Sequence, residues 1–157
     1  MIDLTQFCDK ENDCKQFDLG EPFVQDGFRC WANGWVCVRQ PTKDNDTSGR
    51  RLPRSVADVF AEFSLCDEAS FPGPFHFRMT CPECGESVTV YVPVKIGKAY
   101  YDGAMILRIA RLPGVKHNAP DRPEDNLYFV ADDGLQGVLC PIAAPRRRRR
   151  SGEVQNP

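Results

Sequence analysis

Apolar and polar positions along the chain fall into short segments of two periods. Over residues 22–40, apolar runs are broken at Asp26-Gly27 and Asn33-Gly34, dipeptides that supply the positive φ of a two-residue hairpin, so three short antiparallel strands are predicted. With Asn33-Gly34 as the turn, Ala32 faces Trp35, Trp31 faces Val36 and Cys30 faces Cys37. Residues 41–52 are polar and turn-rich, a loop. Ser55-Val56-Ala57-Asp58 then reads as a helix start of the capping-box kind, and Val56, Val59, Phe60 and Phe63 follow at i, i+3, i+4 and i+7, one buried face. Val88, Val90 and Val92 alternate with Thr89 and Tyr91, which predicts a half-buried strand ending near Pro93. A second helix is predicted over 99–112, with Met105, Ile106, Ile109 and Leu112 on one side and Pro113-Gly114 as its stop. Arg108 and Arg111 then point the other way. Two last strands, 127–131 and 137–142, flank the turn Asp132-Asp133-Gly134. The order βββ-α-(Cys insert)-β-α-ββ predicts an α+β fold, mainly antiparallel sheet with two helices.

A chain of 157 residues, 41% of them hydrophobic, is enough for one ordinary core. The expectation is therefore one α+β domain over 1–145, carrying a small Cys-rich zinc-knuckle insert at about 64–86, and a disordered tail over 146–157. The formal net charge of -2 conceals an asymmetry, because five of the 20 Lys and Arg residues are Arg146, Arg147, Arg148, Arg149 and Arg150. The body is acidic and the tail basic. No run approaches the roughly 18 apolar residues that span a bilayer, and the N-terminus shows no export signal, so the chain is read as cytoplasmic with no membrane partner. In that compartment its eight cysteines are expected as thiols, some of them metal-bound, not as disulfides.

The chemistry concentrates in Cys81-Pro82-Glu83-Cys84-Gly85. A Cys-Pro-X-Cys-Gly knuckle sets two thiolates on one side of a tight turn, where backbone amides stabilise the sulfur charge and tetrahedral zinc can bridge them. The same spacing also suits a redox dithiol or two unmetallated cysteines, but Gly85-Glu86-Ser87 leads into a strand and not into the helix that a thioredoxin-like dithiol opens. Cys66-Asp67-Glu68-Ala69 resembles a partner knuckle whose second Cys is replaced by Ala69, which makes Cys66 the third candidate ligand. His76 is the candidate fourth, with a packed or surface histidine as the equal alternative; His117, Cys8 and Cys14 are reserves. Four protein ligands would leave no open position, so the predicted zinc is structural. Cys30 and Cys37 could ligate or cross-link, but paired small core residues suit them better.

Other chemistry is sparse. Only two histidines are present, one already a candidate ligand and the other in the apparently exposed turn Lys116-His117-Asn118, so no nucleophile and base pair is evident. No phosphate-cradling glycine loop occurs. The expectation is a non-enzymatic protein with no small-molecule substrate. The arginine run can contact phosphates or serve as a solubilising tail, and Arg108 and Arg111, with Lys95 and Lys98 near in sequence, form either a small basic patch or a solvated helix face. Two readings follow: binding of DNA or a replication protein through Arg108, Arg111 and Arg146 to Arg150, or a protein-binding adaptor or host-takeover factor using exposed aromatics such as Trp31 or Trp35.

One stretch carries a likeness. Phe28-Arg29-Cys30-Trp31-Ala32-Asn33-Gly34-Trp35-Val36-Cys37-Val38-Arg39 resembles a hairpin in a domain of bacterial DNA polymerase sliding clamps, in which an Ala-Thr-Asp-Gly turn leads into an apolar strand. Leu127-Tyr128-Phe129-Val130 and Gly137-Val138-Leu139-Cys140-Pro141-Ile142 resemble the closing hairpin of such a domain, with Cys140 in place of the first Met of its Met-Pro-Met or Met-Pro-Leu end. The helix ending at Leu112-Pro113-Gly114 fits the same order. Leu4-Thr5-Gln6-Phe7-Cys8 before a Trp- and Phe-rich hairpin also looks like small bacteriophage and prophage proteins. These likenesses imply a clamp-like sheet, a nucleic-acid or replication partner and, for a phage-encoded chain, the host cytoplasm. The cysteine segment has no counterpart in clamps.

Overall fold

The structure, a computed structural model, describes residues 3–10, 19–45, 52, 54–63 and 65–145. In chain order its elements are β1 (Phe23–Gln25), β2 (Phe28–Ala32), β3 (Val36–Pro41), α1 (Val56–Val59), β4 (His76–Thr80), β5 (Ser87–Tyr91), β6 (Val94–Ile96), β7 (Ala99–Tyr101), α2 (Gly103–Ala110), β8 (Lys116–His117), β9 (Leu127–Val130) and β10 (Gln136–Leu139). The fold is α+β and mainly antiparallel. Six strands form one antiparallel sheet in the order β1-β2-β3-β10-β9-β8, and β4-β5 and β6-β7 form two separate hairpins.

Alternation along the sheet sends side chains into two cores, because successive strand residues point to opposite faces. Trp31, Val38, Phe129 and Leu139 enter one, together with Ile106 and Ile109 of α2, Val94, Ile96, Ala99 and Tyr101 of the β6-β7 hairpin, and Phe7 from the N-terminal 3-10 turn Leu4–Phe7. Cys30, Ala32, Cys37, Tyr128 and Val138 enter the other, beneath Val56, Phe60 and Leu19. Each fully buried aliphatic or aromatic side chain contributes about 1.5–3 kcal/mol by leaving water. The sheet is thus covered on both faces, with α2 on one and α1 on the other.

Local signals fixed several elements. The Ser55 hydroxyl accepts from the Asp58 amide at 3.0 Å and starts α1, while the Asp26 carboxylate accepts from the Val56 amide at 2.8 Å and ties that start to the β1-β2 turn. That turn has Asp26 at φ 54 and Gly27 at φ 78, both positive as a type I′ turn requires. The next hairpin departs from its predicted register. Ala32 pairs with Cys37, Trp31 with Val38 and Cys30 with Arg39, a slip of two residues that makes Gly34-Trp35 the loop. The Asn33 side-chain oxygen accepts from the amides of both Trp35 and Val36 at 3.0 Å, so Asn33 caps the turn from its flank instead of entering it. A two-residue slip keeps every side chain on its face.

The second helix is shorter than the 99–112 segment predicted for it. Residues 99–101 are strand β7, and α2 begins only after Asp102, whose carboxylate accepts from the Met105 amide at 2.9 Å. Ile106, Ile109 and Leu112 are buried as expected from their spacing. Arg108 does not project into solvent: its guanidinium donates to the Gln6 carbonyl at 2.7 Å and holds the N-terminal turn against α2. No helix among the described residues is long and apolar enough to cross a membrane.

Candidate metal centre on an exposed hairpin

The Cys-Pro-Glu-Cys-Gly segment forms the tip of the β4-β5 hairpin. Its strands pair His76 with Tyr91, Phe77 with Val90, Arg78 with Thr89, Met79 with Val88, and Thr80 with Ser87. The ladder runs on past the last pair, since the Cys81 amide donates to the Glu86 carbonyl at 2.8 Å and the Gly85 amide donates to the Cys81 carbonyl at 2.9 Å. Gly85 stands at φ 74, a conformation open to glycine and costly for a side chain, which is why the knuckle closes there.

The Cys81 thiol is held below the ordinary thiol range, first by the Cys84 backbone amide, then by the Glu83 amide, then by the Cys84 side chain. Amides aimed at a sulfur stabilise its anion, the form that binds metal and attacks electrophiles. The structure therefore brings Cys81 and Cys84 together at an exposed tip.

Cys66 and His76 lie elsewhere. Cys66 packs against the core on the α1 side, where burial pushes its thiol up to about 11 against the pull of the Asn118 backbone amide. Its segment is drawn to the sheet edge by the pairing of Glu68 with His117, with amide-to-carbonyl bonds of 3.0 and 2.8 Å in the two directions. His76 sits five residues from Cys81 at the other end of an extended strand, about 17 Å away at about 3.4 Å per residue, far beyond the reach of a zinc bound at Cys81. Its ring packs beside that of Tyr91. Among the described residues no group of three or more His, Cys, Asp or Glu side chains is placed to hold a metal ion.

The reserves are likewise engaged or outside view. His117 is buried, not exposed: its Nδ1 lies 2.6 Å from the Asn118 carbonyl oxygen, its Nε2 2.8 Å from that of Ser70, and Phe71 covers the ring. Cys8 is in the core, and Cys14 lies outside the described residues. Cys30 and Cys37, no longer a direct cross-strand pair, remain diagonal neighbours. The Cys30 thiol is pushed well up by its hydrogen bond with Cys37 and then by burial, and Cys140 is raised by burial and then by Cys37. Cys30 and Cys140 thus favour the neutral thiol, and Cys30 and Cys37 lie in the core beneath α1. None of the described cysteines is in a disulfide.

The hairpin has two unlike faces. Arg78, Thr89, Thr80 and Ser87 share one; Phe77, Val90, Met79 and Val88 share the other. The apolar face is largely uncovered, with Phe77 46%, Met79 54% and Val88 57% exposed. The alternation of Val88 and Val90 thus marks a strand correctly, but the face it marks has no partner within the described residues. No strand is predicted over His76-Phe77-Arg78-Met79, although the alternation of Phe77 and Met79 matches that of Val88 and Val90, with which they pair.

Of the basic candidates, Arg111 is exposed at the end of α2, Arg108 is bound to Gln6, and Arg146 to Arg150 lie outside the described residues. Trp31 is buried and Trp35 is 62% exposed. A cleft of about 680 Å³ beside β9 is rimmed by Glu62, Asp67, Asp121, Glu124 and Asp125, a concentration of negative charge that repels phosphates.

The fold and site together define an α+β protein bearing an amphipathic hairpin with a two-cysteine knuckle at its tip. No protein-family model matches this chain, and neither a curated protein nor a solved structure matches it.

Proposed function

We propose that this chain is a non-enzymatic, phage-type adaptor that docks an apolar protein surface on the β4-β5 hairpin, with zinc held by Cys81 and Cys84 to stiffen the tip. One observation carries the reading: Phe77, Met79 and Val88 stand exposed side by side on one face of an otherwise polar hairpin. Soluble domains seldom leave such a contiguous patch in water unless it meets a partner. The thiolate knuckle adds a metal brace to a two-stranded element that is too small to be stable alone.

A photo-crosslinking amino acid placed at Val88, and separately at Thr89 on the polar face, tests this in cells that make the protein. Protein adducts from position 88 and none from 89 support the docking face; equal or absent adducts sink it. Metal analysis of the wild type beside Cys81→Ser and Cys84→Ser tests the zinc.

Nucleic-acid or replication-associated binding is the second reading, favoured by the exposed Arg111 and the five consecutive arginines of the tail. It draws also on the clamp-like order of α2, β9 and β10. The acidic body and the engagement of Arg108 weigh against it. In a salt-dependent DNA titration, absent binding removes this reading, and binding unchanged by deletion of 146–157 removes the arginine tail as its contact.

A further inference from the structure

We propose that the apolar face of the β4-β5 hairpin is covered by the same face of a second copy of this chain, and that Cys81 and Cys84 from both copies together bind one zinc ion. The inference rests on the metal-braced docking hairpin argued above and names its occupant.

The knuckle is half of a site. Zinc in a structural centre takes four ligands, and the tip offers two sulfurs. No third His, Cys, Asp or Glu among the described residues joins them. The described thiols are not deliverable to the tip: Cys8, Cys30 and Cys37 are buried in the two cores, Cys66 packs against one of them, and Cys140 follows a sheet strand. A second knuckle of the same kind supplies the missing pair.

The uncovered face and the thiols point the same way. Carried one pair past Thr80 and Ser87, the strand alternation puts Cys81 on the side of Phe77 and Met79. A two-fold axis along the hairpin then stacks Met79 and Val88 of one copy on the same residues of the other and brings the tips together. Such an interface uses one self-complementary patch twice, as the commonest dimers do. It covers the apolar side chains and completes the tetrahedron in the same step. The polar face, with Arg78, Thr80, Ser87 and Thr89, stays in water.

The contact is small. A five-residue, two-stranded face measures roughly 17 Å by 10 Å, well short of the ~800 Å² per partner buried in a standard interface. Zinc must therefore hold the pair, and the dimer is metal-dependent. Binding exchanges the protons still on the four thiols for the metal; these protons pass to solvent, and no oxidation is involved.

The test uses the purified full chain, with zinc content measured beside mass by light scattering, before and after EDTA, and with cobalt substituted for zinc. The expected result is a dimer with one zinc per two chains and the charge-transfer spectrum of tetrahedral four-thiolate cobalt, both lost in chelator and in Cys84→Ser. Met79→Asp with Val88→Asp alters only exposed positions, so the chain folds, and its dimer dissociation constant rises at least tenfold. A monomer with one zinc per chain, its cobalt spectrum altered by Cys14→Ser, overturns the shared site and assigns the remaining ligands to the same chain. A dimer that survives chelator also overturns it, as does a zinc-free monomer. In each of these cases crosslinking from Val88 still decides separately whether the face docks another protein.

Discussion

A β-carbon placed on Gly103 would lie 2.2 Å from the carbonyl oxygen of Val92, at the foot of the β4-β5 hairpin, and 2.6 Å from that of Phe75. Both neighbours are backbone, hydrogen-bonded to one another by the Val92 amide and the Phe75 carbonyl at 3.0 Å, so neither can swing aside. Within a helix, Gly→Ala ordinarily stabilises by about 0.5–1 kcal/mol. Here the sign reverses. Gly103→Ala is expected to cost about 1–3 kcal/mol as an overpacked contact, read as a lower urea midpoint. A variant as stable as the wild type would show that α2 and the hairpin are not in close contact.

Thiol chemistry should separate the cysteines in metal-free protein. Cys81 is exposed enough to be reached and is held below the usual thiol range by the amides of Cys84 and Glu83. Cys66 and Cys140 are raised by burial. Because the thiolate is the nucleophile, iodoacetamide near pH 7.5 is expected to label Cys81 first and Cys66 and Cys140 well after it, as followed by peptide mass mapping. Added zinc should protect Cys81 and Cys84 alone. Rapid labelling of Cys66 would contradict its packing.

The readable parts of this fold were those set by neighbours in sequence. Ser55 capping Asp58, the Val56 and Phe60 face, the Asp26-Gly27 turn and the strands around Asp132-Asp133-Gly134 each depend on a few adjacent residues. What escaped depended on distant ones or on close contests. The choice between Asn33-Gly34 and Gly34-Trp35 as the turn is decided by which amides the Asn33 side chain captures, and both keep the same residues inside. Asp102 was the missed signal in the second helix, since a carboxylate before Gly103 and Met105 marks a start that the apolar run of Tyr100 and Tyr101 obscured. Cys81 and Cys84 carry their own knuckle and were legible as a pair. Cys66 was not, because the pairing of Glu68 with His117, distant in sequence, takes that segment to the sheet edge.

Arg39 offers a test of how α1 is fixed to the sheet. Its guanidinium lies 4.2 Å from the ring centre of Phe28 and 3.9 Å from that of Phe60, while Nε and Nη2 both donate to the Gln136 side-chain oxygen at 2.9 and 2.8 Å. A planar, weakly hydrated cation suits this stacking, and lysine cannot reproduce the fork. Arg39→Lys is expected to lose about 1–3 kcal/mol in denaturant unfolding, with Phe60→Leu losing part of the same energy. The double variant should be less destabilised than the two effects added, because the residues touch. Strict additivity would remove the stacking account.

Alkaline pH should weaken the fold through its buried weak acids. Burial raises the Cys66 thiol from 9.0 to about 11 and also raises Cys140 and the Tyr101 phenol, which donates to the Asp125 carbonyl at 2.6 Å. Below pH 9 the Cys66 thiol is protonated in folded and unfolded chains alike, and its contribution is fully present. Between pH 9 and about 11 the unfolded chain releases that proton while the folded chain keeps it. The unfolded state then binds fewer protons, so stability falls as pH rises, until the folded thiol ionises as well. Urea midpoints measured across this window are therefore expected to decline steadily. Cys66→Ser, which does not titrate there, should start lower at pH 8 and decline less steeply, because one of the contributing groups is gone. Parallel slopes for the wild type and Cys66→Ser would mean that Cys66 is as accessible to solvent in the folded chain as in the unfolded one.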